Sequence, residues 1–233
     1  MVDVVKALVA GKRVVAMIAP SAEGQFGDGI TIASWREALQ QVGFADLVEV
    51  ALGADMTANA EAAEWMEAYQ EGKKKTTSCC PAFVNMIEKH YPMLKENIST
   101  TVSPMCAVSR KLKAEHPGTI TVFIGPCVAK KSEVLEQRLE GNADYVLTFG
   151  EIRAIIRAKG VTLKPEPNEQ QDGSVFGKRF GDSGGVTTAV LESMKEQGFT
   201  EEVNIHKCNG AEECKKALLL MKLGRNAQVF CFS

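Results

Sequence analysis

The sequence contains no long hydrophobic run. Its longest apolar stretches, "VVAMIAP" (14–20) and "ALLLM" (217–221), fall far short of the roughly 20 residues a helix needs to cross a bilayer, so no membrane partner is expected. It also lacks a dominant charge. Twenty-seven basic and 29 acidic residues give a net charge of -2 and are interspersed along the chain, which excludes the basic surface that would signal nucleic acid or an anionic membrane. There is no low-complexity segment, no internal repeat and no Cys-x-x-Cys pair. The opening "MVDVVKALVAGKRVVAMIA" places a basic pair before an apolar run that is too short and too strand-like for a signal peptide. A soluble, cytoplasmic protein is the expectation.

What is present is enough for a substantial core. A chain of 233 residues that is 45% hydrophobic fits one large domain or two lobes of about 100 residues each. Seven cysteines, an odd number, argue against a disulfide framework in that compartment and in favour of metal or redox chemistry.

The hydrophobic period alternates between strand and helix almost from end to end. Strands are expected at 13–19, 44–52, 73–80, 119–125, 143–148, 202–208 and in the final "AQVFCFS". Helices are expected at 32–43, at 57–70 behind Asp55 and Thr57 as capping types, from Pro81, at 129–140, 150–160, 184–198 and 211–224. The stretch 164–173 reads as a polar loop, and a seam at 103–113 separates two lobes, 1–105 plus 206–233 and 106–205. Such alternation means an α/β protein with mainly parallel sheets flanked by helices.

In such folds, ligands gather at the carboxyl ends of strands, where helix N-termini favour negative charge. Cys79, Cys80 and Cys127 fall at strand-to-helix turns of this kind, and the Gly184–Gly185 turn joins them. A thiolate in that setting suits iron ligation or proton donation. Cysteine is also one of the most buried residue types. Cys106 and Cys214, inside expected helices, read as small core residues, and the Cys208/Cys214 pair, six apart, stays open between structure and function.

Three segments in order, "TSCCPAF" (77–83), "GPCVAKKSE" (125–133) and "FGDSGGVTTAVLESM" (180–194), resemble the signatures of the iron-only (FeFe) hydrogenase catalytic domain. Shorter matches, "IAPSAEGQFG", "ADMT", "YP", "SP" and "DYVLT", extend the likeness along nearly the whole chain. The resemblance implies two lobes with a metal site in the cleft between them. It implies reversible oxidation of H2 to protons and electrons at a two-iron centre with carbon monoxide and cyanide ligands, linked to a four-iron four-sulfur cubane cluster. Residue by residue, Cys80, Cys127 and Cys231 correspond to cubane ligands, and Cys79 to the proton donor beside the two-iron centre. Lys130, Ser21 and the backbone of Pro20 correspond to cyanide contacts, while Ser103, Pro104, Gly184 and Gly185 line the cofactor. Glu61, Ser99 and Glu64 continue the proton path. Glu133 completes the "PCVAKKSE" pattern. A ferredoxin or similar electron carrier and maturation proteins are the implied partners.

The likeness is incomplete. Gly125 stands where the family has methionine, Phe83 where it has tryptophan, and Met105 follows "SP". Of the family's last two cubane cysteines only one has a counterpart, Cys231, and no ferredoxin-like cysteine module precedes the domain. The expectation is therefore a hydrogenase domain that is truncated or impaired. The alternative is a non-catalytic iron-sulfur or hydrogen-sensing module, or an iron-sulfur assembly factor, of the same fold.

Overall fold

The computed structural model describes residues 1–168, 172–224 and 229–232, the last four by their backbone alone. In chain order the elements are α1 (Val2–Val9), β1 (Val14–Ile18), α2 (Ile32–Val42), β2 (Asp46–Glu49), α3 (Ala51–Gln70), β3 (Lys75–Thr76) and α4 (Pro81–His90). They continue with α5 (Pro104–Glu115), β4 (Ile120–Gly125), α6 (Lys130–Glu133), β5 (Tyr145–Thr148) and α7 (Phe149–Ala158). The last are α8 (Val175–Lys178), α9 (Gly185–Glu196), β6 (Ile205–Cys208), α10 (Gly210–Lys222) and β7 (Val229–Phe232). The contacts divide the chain into two units, Met1–Gly53 with Pro104–Ser174, and Ala54–Ser103 with Val175–Ser233.

The first unit is built on a four-stranded parallel sheet in the order β2-β1-β4-β5. Strand β1 is buried at every residue, as its unbroken apolar run requires of a strand covered on both faces. Helix α2 opens with a capping box between Thr31 and Ser34 and closes on Gly43, whose φ of 114° is a left-handed stop. Helix α7 begins directly after β5 with a second box, Thr148 and Glu151. Trp35, fully buried, holds α2 against the sheet, with the Phe26 ring edge-on at 5.0 Å. The chain leaves β1 for β2 on one side and returns to β4 on the other. The carboxyl ends of β1 and β4 therefore form the switch point at which open α/β sheets make their crevice.

The second unit has a three-stranded parallel sheet, β3-β7-β6. Helix α4 starts at Pro81, which needs no amide partner in a first turn, with Cys80 as its N-cap. Its apolar core has two parts, one around Trp65, Val190 and Met194 and one around Ile87, Ala217 and Leu218.

The α/β architecture with parallel sheets is as expected, but four details differ. The units are not 1–105 plus 206–233 and 106–205, because the chain crosses between them after Gly53, Ser103 and Ser174. The stretch 103–113 is helix α5 of the first unit rather than a seam, with Ser103/Pro104 as one of the crossings. Helix α3 starts six residues ahead of Thr57, whose hydroxyl donates to the Val102 carbonyl at 3.1 Å instead of capping a first turn. The helix expected over 129–140 stops at Glu133. There the Glu133 carbonyl accepts the Glu136 amide and the Asn142 side-chain carboxamide, each at 3.2 Å, in place of the next i+4 bond, and the chain runs on through three-residue turns.

Candidate functional site

In the first unit the residues singled out by sequence collect at the switch point. Pro20 and Ser21 follow β1, and Cys127 and Lys130 follow β4. The two strand ends are tied by the Ala19 amide donating to the Ile124 carbonyl at 2.8 Å. A Cβ built on Gly125 would meet the Phe123 ring at 2.7 Å and Ala19 at 3.1 Å. The Phe123 ring thus fills the space a side chain at 125 would need, which accounts for glycine there. Cys127 is half-buried and Val128 beside it is exposed. Lys130 is 9% exposed, and its ammonium donates to the Glu133 carboxylate at 2.6 Å. A buried ammonium needs this countercharge, so Glu133 is part of the site's electrostatics. The Ser21 hydroxyl oxygen is buried without a hydrogen-bond partner, a polar group that a bound ligand or a water would satisfy. Pro104 is buried at the start of α5, and Cys106 is wholly buried, its thiol pushed up by burial, as a core residue would be.

In the second unit Cys79, Cys80, Cys208 and Cys231 lie towards the carboxyl ends of the strands, and Cys214 lies inside α10. Cys79 and Cys80 follow β3, Cys208 ends β6, and Cys231 lies in β7 opposite Lys207. The Cys231 side chain is outside the described residues. Cys208 and Cys214 are buried in one cluster with Phe83 and Leu218, against which Cys80 packs, and burial pushes the Cys214 thiol up. None of the six cysteines with described side chains is in a disulfide. Gly184 and Gly185 have a backbone role: Gly184 is left-handed at φ 77°, and a Cβ on Gly185 would stand 1.8 Å from the Arg179 carbonyl oxygen. Ser103 is 5% exposed at the edge of this unit.

The most developed constellation is Glu61, Ser99 and Glu64. Both glutamates lie on one face of α3, three residues apart. Opposite them a segment bridges β3, with Ile98 pairing Thr76 and the Ser99 amide donating to the Thr76 carbonyl at 2.9 Å. Glu61 is fully buried and accepts the Ser78 amide at 3.3 Å, while its second oxygen has no hydrogen-bond partner. Burial pushes its carboxyl up to about 8, against the smaller opposing pull of Ser78 and Ser99. Glu64, half-buried, is surrounded by donors. The Thr100 amide reaches its two oxygens at 3.0 and 3.1 Å, the Thr100 hydroxyl also donates, and Lys75 lies 3.4 Å away. Burial alone would raise Glu64; the Thr100 hydroxyl and Lys75 outweigh it and hold the carboxyl below the usual range. Ser99 favours the charged form of both carboxylates.

The first unit thus brings together Pro20, Ser21, Cys127 and Lys130, and the second brings together Glu61, Ser99 and Glu64 one residue from Cys79, through Ser78. Sequence reasoning missed Ser78, Lys75, Thr100 and Thr101. For Lys75 and Ser78 the signal was the run of lysines and hydroxyls in "KKKTTS" immediately before the cysteine pair, and for Thr100 and Thr101 only the hydroxyl run "STT" that continues from Ser99. Among the described residues no three His, Cys, Asp or Glu side chains are grouped closely enough to hold a metal ion, and no helix is long and apolar enough to cross a membrane.

The donor chemistry fits iron-sulfur ligation and an anionic ligand set: half-buried thiols at strand ends, a buried ammonium, and a buried hydroxyl awaiting a partner. Iron hydrogenase 1 of Clostridium pasteurianum is 30% identical over 235 residues, covering 88% of this chain and 41% of that protein. The periplasmic Fe hydrogenase large subunit of Nitratidesulfovibrio vulgaris is 30% identical over 224 residues, covering 83% of this chain and 53% of the relative. The chain spans about half the length of these curated relatives. The solved apo FeFe-hydrogenase of Chlamydomonas reinhardtii shares the fold with a TM-score of 0.74 at 21% identity, over 95% of this chain and 76% of that one. Residues 12–232 match the family described as iron only hydrogenase large subunit, C-terminal domain, and the chain belongs to that family.

Proposed function

We propose that this chain is a hydrogenase catalytic domain that interconverts H2 with protons and electrons. The observation that carries the reading is the pair of carboxylates on α3. Glu61 is kept protonated near neutral pH by burial, and Glu64 is kept ionised by its donors. Two like groups with environments that push them apart make a proton donor and a proton acceptor, and a scaffold without turnover has no use for that gradient.

On this reading Cys80, Cys127 and Cys231 would hold the four-iron cubane. Lys130, Ser21 and the Pro20 backbone would offer polar contacts to cyanide ligands of the two-iron centre, beside Ser103, Pro104, Gly184 and Gly185. When bound, those groups supply the cleavage of H2 and the storage of electrons. The chain's own residues move the proton. Cys79 takes or gives it at the inner end, and Glu61, which accepts the amide of the adjacent Ser78, receives it on a buried carboxylate. The Ser99 hydroxyl accepts the Thr101 amide at 3.2 Å, which leaves its own hydrogen to point at a carboxylate. Lys130, neutralised by Glu133, provides a directed donor without an isolated buried charge. A ferredoxin-type electron carrier, maturation proteins and a cytoplasmic location belong to the proposal.

Anaerobic loading with iron and sulfide, followed by a synthetic two-iron complex, tests it. Infrared bands of bound carbon monoxide and cyanide and measurable H2 evolution are expected. Cys79→Ser should retain the bands and lose about 100-fold or more in rate. Full iron loading without such bands would overturn the enzyme reading. Bands or cubane signals with no turnover would instead favour the non-catalytic or hydrogen-sensing module.

A further inference from the structure

Glu64 lies in a groove of 520 Å³ within the second unit. From α3 the groove is bordered by Glu67 and Glu71, and from the turn before β3 by Lys73 and Lys74. Glu96 and Asn97 close it on the side of the segment that carries Ser99, Thr100 and Thr101. Among the described residues, Lys75 is the one cation that meets the Glu64 carboxylate directly, at 3.4 Å, and both side chains are 19% exposed. The Thr101 hydroxyl is a further donor at 3.5 Å. The other charged neighbour on α3, Glu61, is fully buried. Lys75, Thr100 and Thr101 all donate to Glu64, which is the surrounding of an ionised carboxylate and a poor one for the acid form.

We propose that Lys75, with Thr100, is the positioning residue that keeps Glu64 charged at this groove, so that Glu64 takes the proton from Glu61 and releases it to water. The assignment rests on the hydrogenase reading. The transfer balances without another reagent. The Glu61 carboxylic acid gives its proton to the Ser99 oxygen while the Ser99 hydroxyl hydrogen passes to the Glu64 carboxylate, leaving Glu61 ionised and Glu64 protonated. Glu64 then gives the proton to water or a buffer base in the groove. A neutral residue at 75 leaves Glu64 beside Glu67 and Glu71 with a weaker countercharge. The carboxylate then fills with a proton at higher pH and stops accepting one under acidic conditions.

The test has two independent readouts. Carboxyl-carbon NMR of the isotopically labelled chain follows Glu64 through a pH titration in wild type, Lys75→Met, Lys75→Arg and Thr100→Val. The Glu64 titration should move to higher pH in Lys75→Met and Thr100→Val and return towards wild type in Lys75→Arg. An unchanged midpoint in both Lys75→Met and Thr100→Val, each folded by circular dichroism, would overturn the assignment. In the reconstituted protein, Lys75→Met should lose about threefold to tenfold in H2 oxidation near pH 6 and approach wild type in alkali; an equal loss at all pH values would also overturn it. A reconstituted wild type with no turnover would sink the hydrogenase reading and leave the NMR result standing.

Discussion

Raising the pH from about 5 to 9 should progressively weaken the fold, and Glu61→Gln should remove most of that weakening. The folded carboxyl titrates at about 8 against an ordinary value of 4.5, so between those values the folded chain holds a proton that the unfolded chain has released. Stability then falls as pH rises through this window, and the loss is complete above the folded value. A shift of that size on a fully buried group corresponds to about 3 to 5 kcal/mol. Glu64 works in the opposite sense and elsewhere: its folded carboxyl lies below 4.5, so its contribution is intact through this window and is lost only on acidification. Urea unfolding midpoints of wild type and Glu61→Gln at several pH values between 5 and 9 check the prediction. Parallel pH slopes in the two proteins would show that Glu61 is not the protonated group.

Gly185→Ala should be the most damaging conservative change in the second unit, at about 3 kcal/mol or more. Its Cβ would stand 1.8 Å from the Arg179 carbonyl oxygen and 3.2 Å from the Phe180 carbonyl carbon. The obstacle is backbone, which cannot rotate aside as a flexible side chain would. Gly181→Ala is the control, since nothing lies within 4 Å of a Cβ there, and it should stay within about 0.5 kcal/mol of wild type. Thermal unfolding of both variants without added iron separates this packing demand from any role of the glycine pair in cofactor binding. Equal stabilities would return the pair to a purely ligand-lining role.

What the sequence made legible was mostly local. The apolar run of β1, the proline that opens α4 and the Thr148/Glu151 box of α7 each announce their element through backbone chemistry that distant residues do not alter. Helix α6 shows the limit. Its sequence has helical period to residue 140, yet the Glu133 carbonyl is taken by the Glu136 amide and the Asn142 side chain, and the helix ends there. The units were illegible because each combines two separated stretches, and hydrophobic period does not say which sheet a strand joins. In the site, Cys79, Cys80, Cys127 and Lys130 stood out through motif spacing and strand-end position. Lys75 and Thr100 did not. Beside two other lysines, Lys75 reads as a solvated strand, and only the pairing of the 98–101 segment with β3 brings Thr100 and Lys75 onto the same carboxylate.

The strand order of the second sheet has a consequence for how the protein is made. Strands β3 and β6 flank β7 and are joined through it, and β7 follows both of them in the chain. All four strands of the first sheet have been synthesised by Thr148 and can pair while synthesis continues. Until β7 arrives, the edges of β3 and β6 stay unpaired, and the turn bearing Cys79 and Cys80 hangs from a two-residue strand without a neighbour on its β7 side. Nascent chains stalled before residue 229 should therefore expose those two thiols to alkylating reagents and present edges prone to mispairing. The second sheet is completed in one step, when β7 enters between its two neighbours.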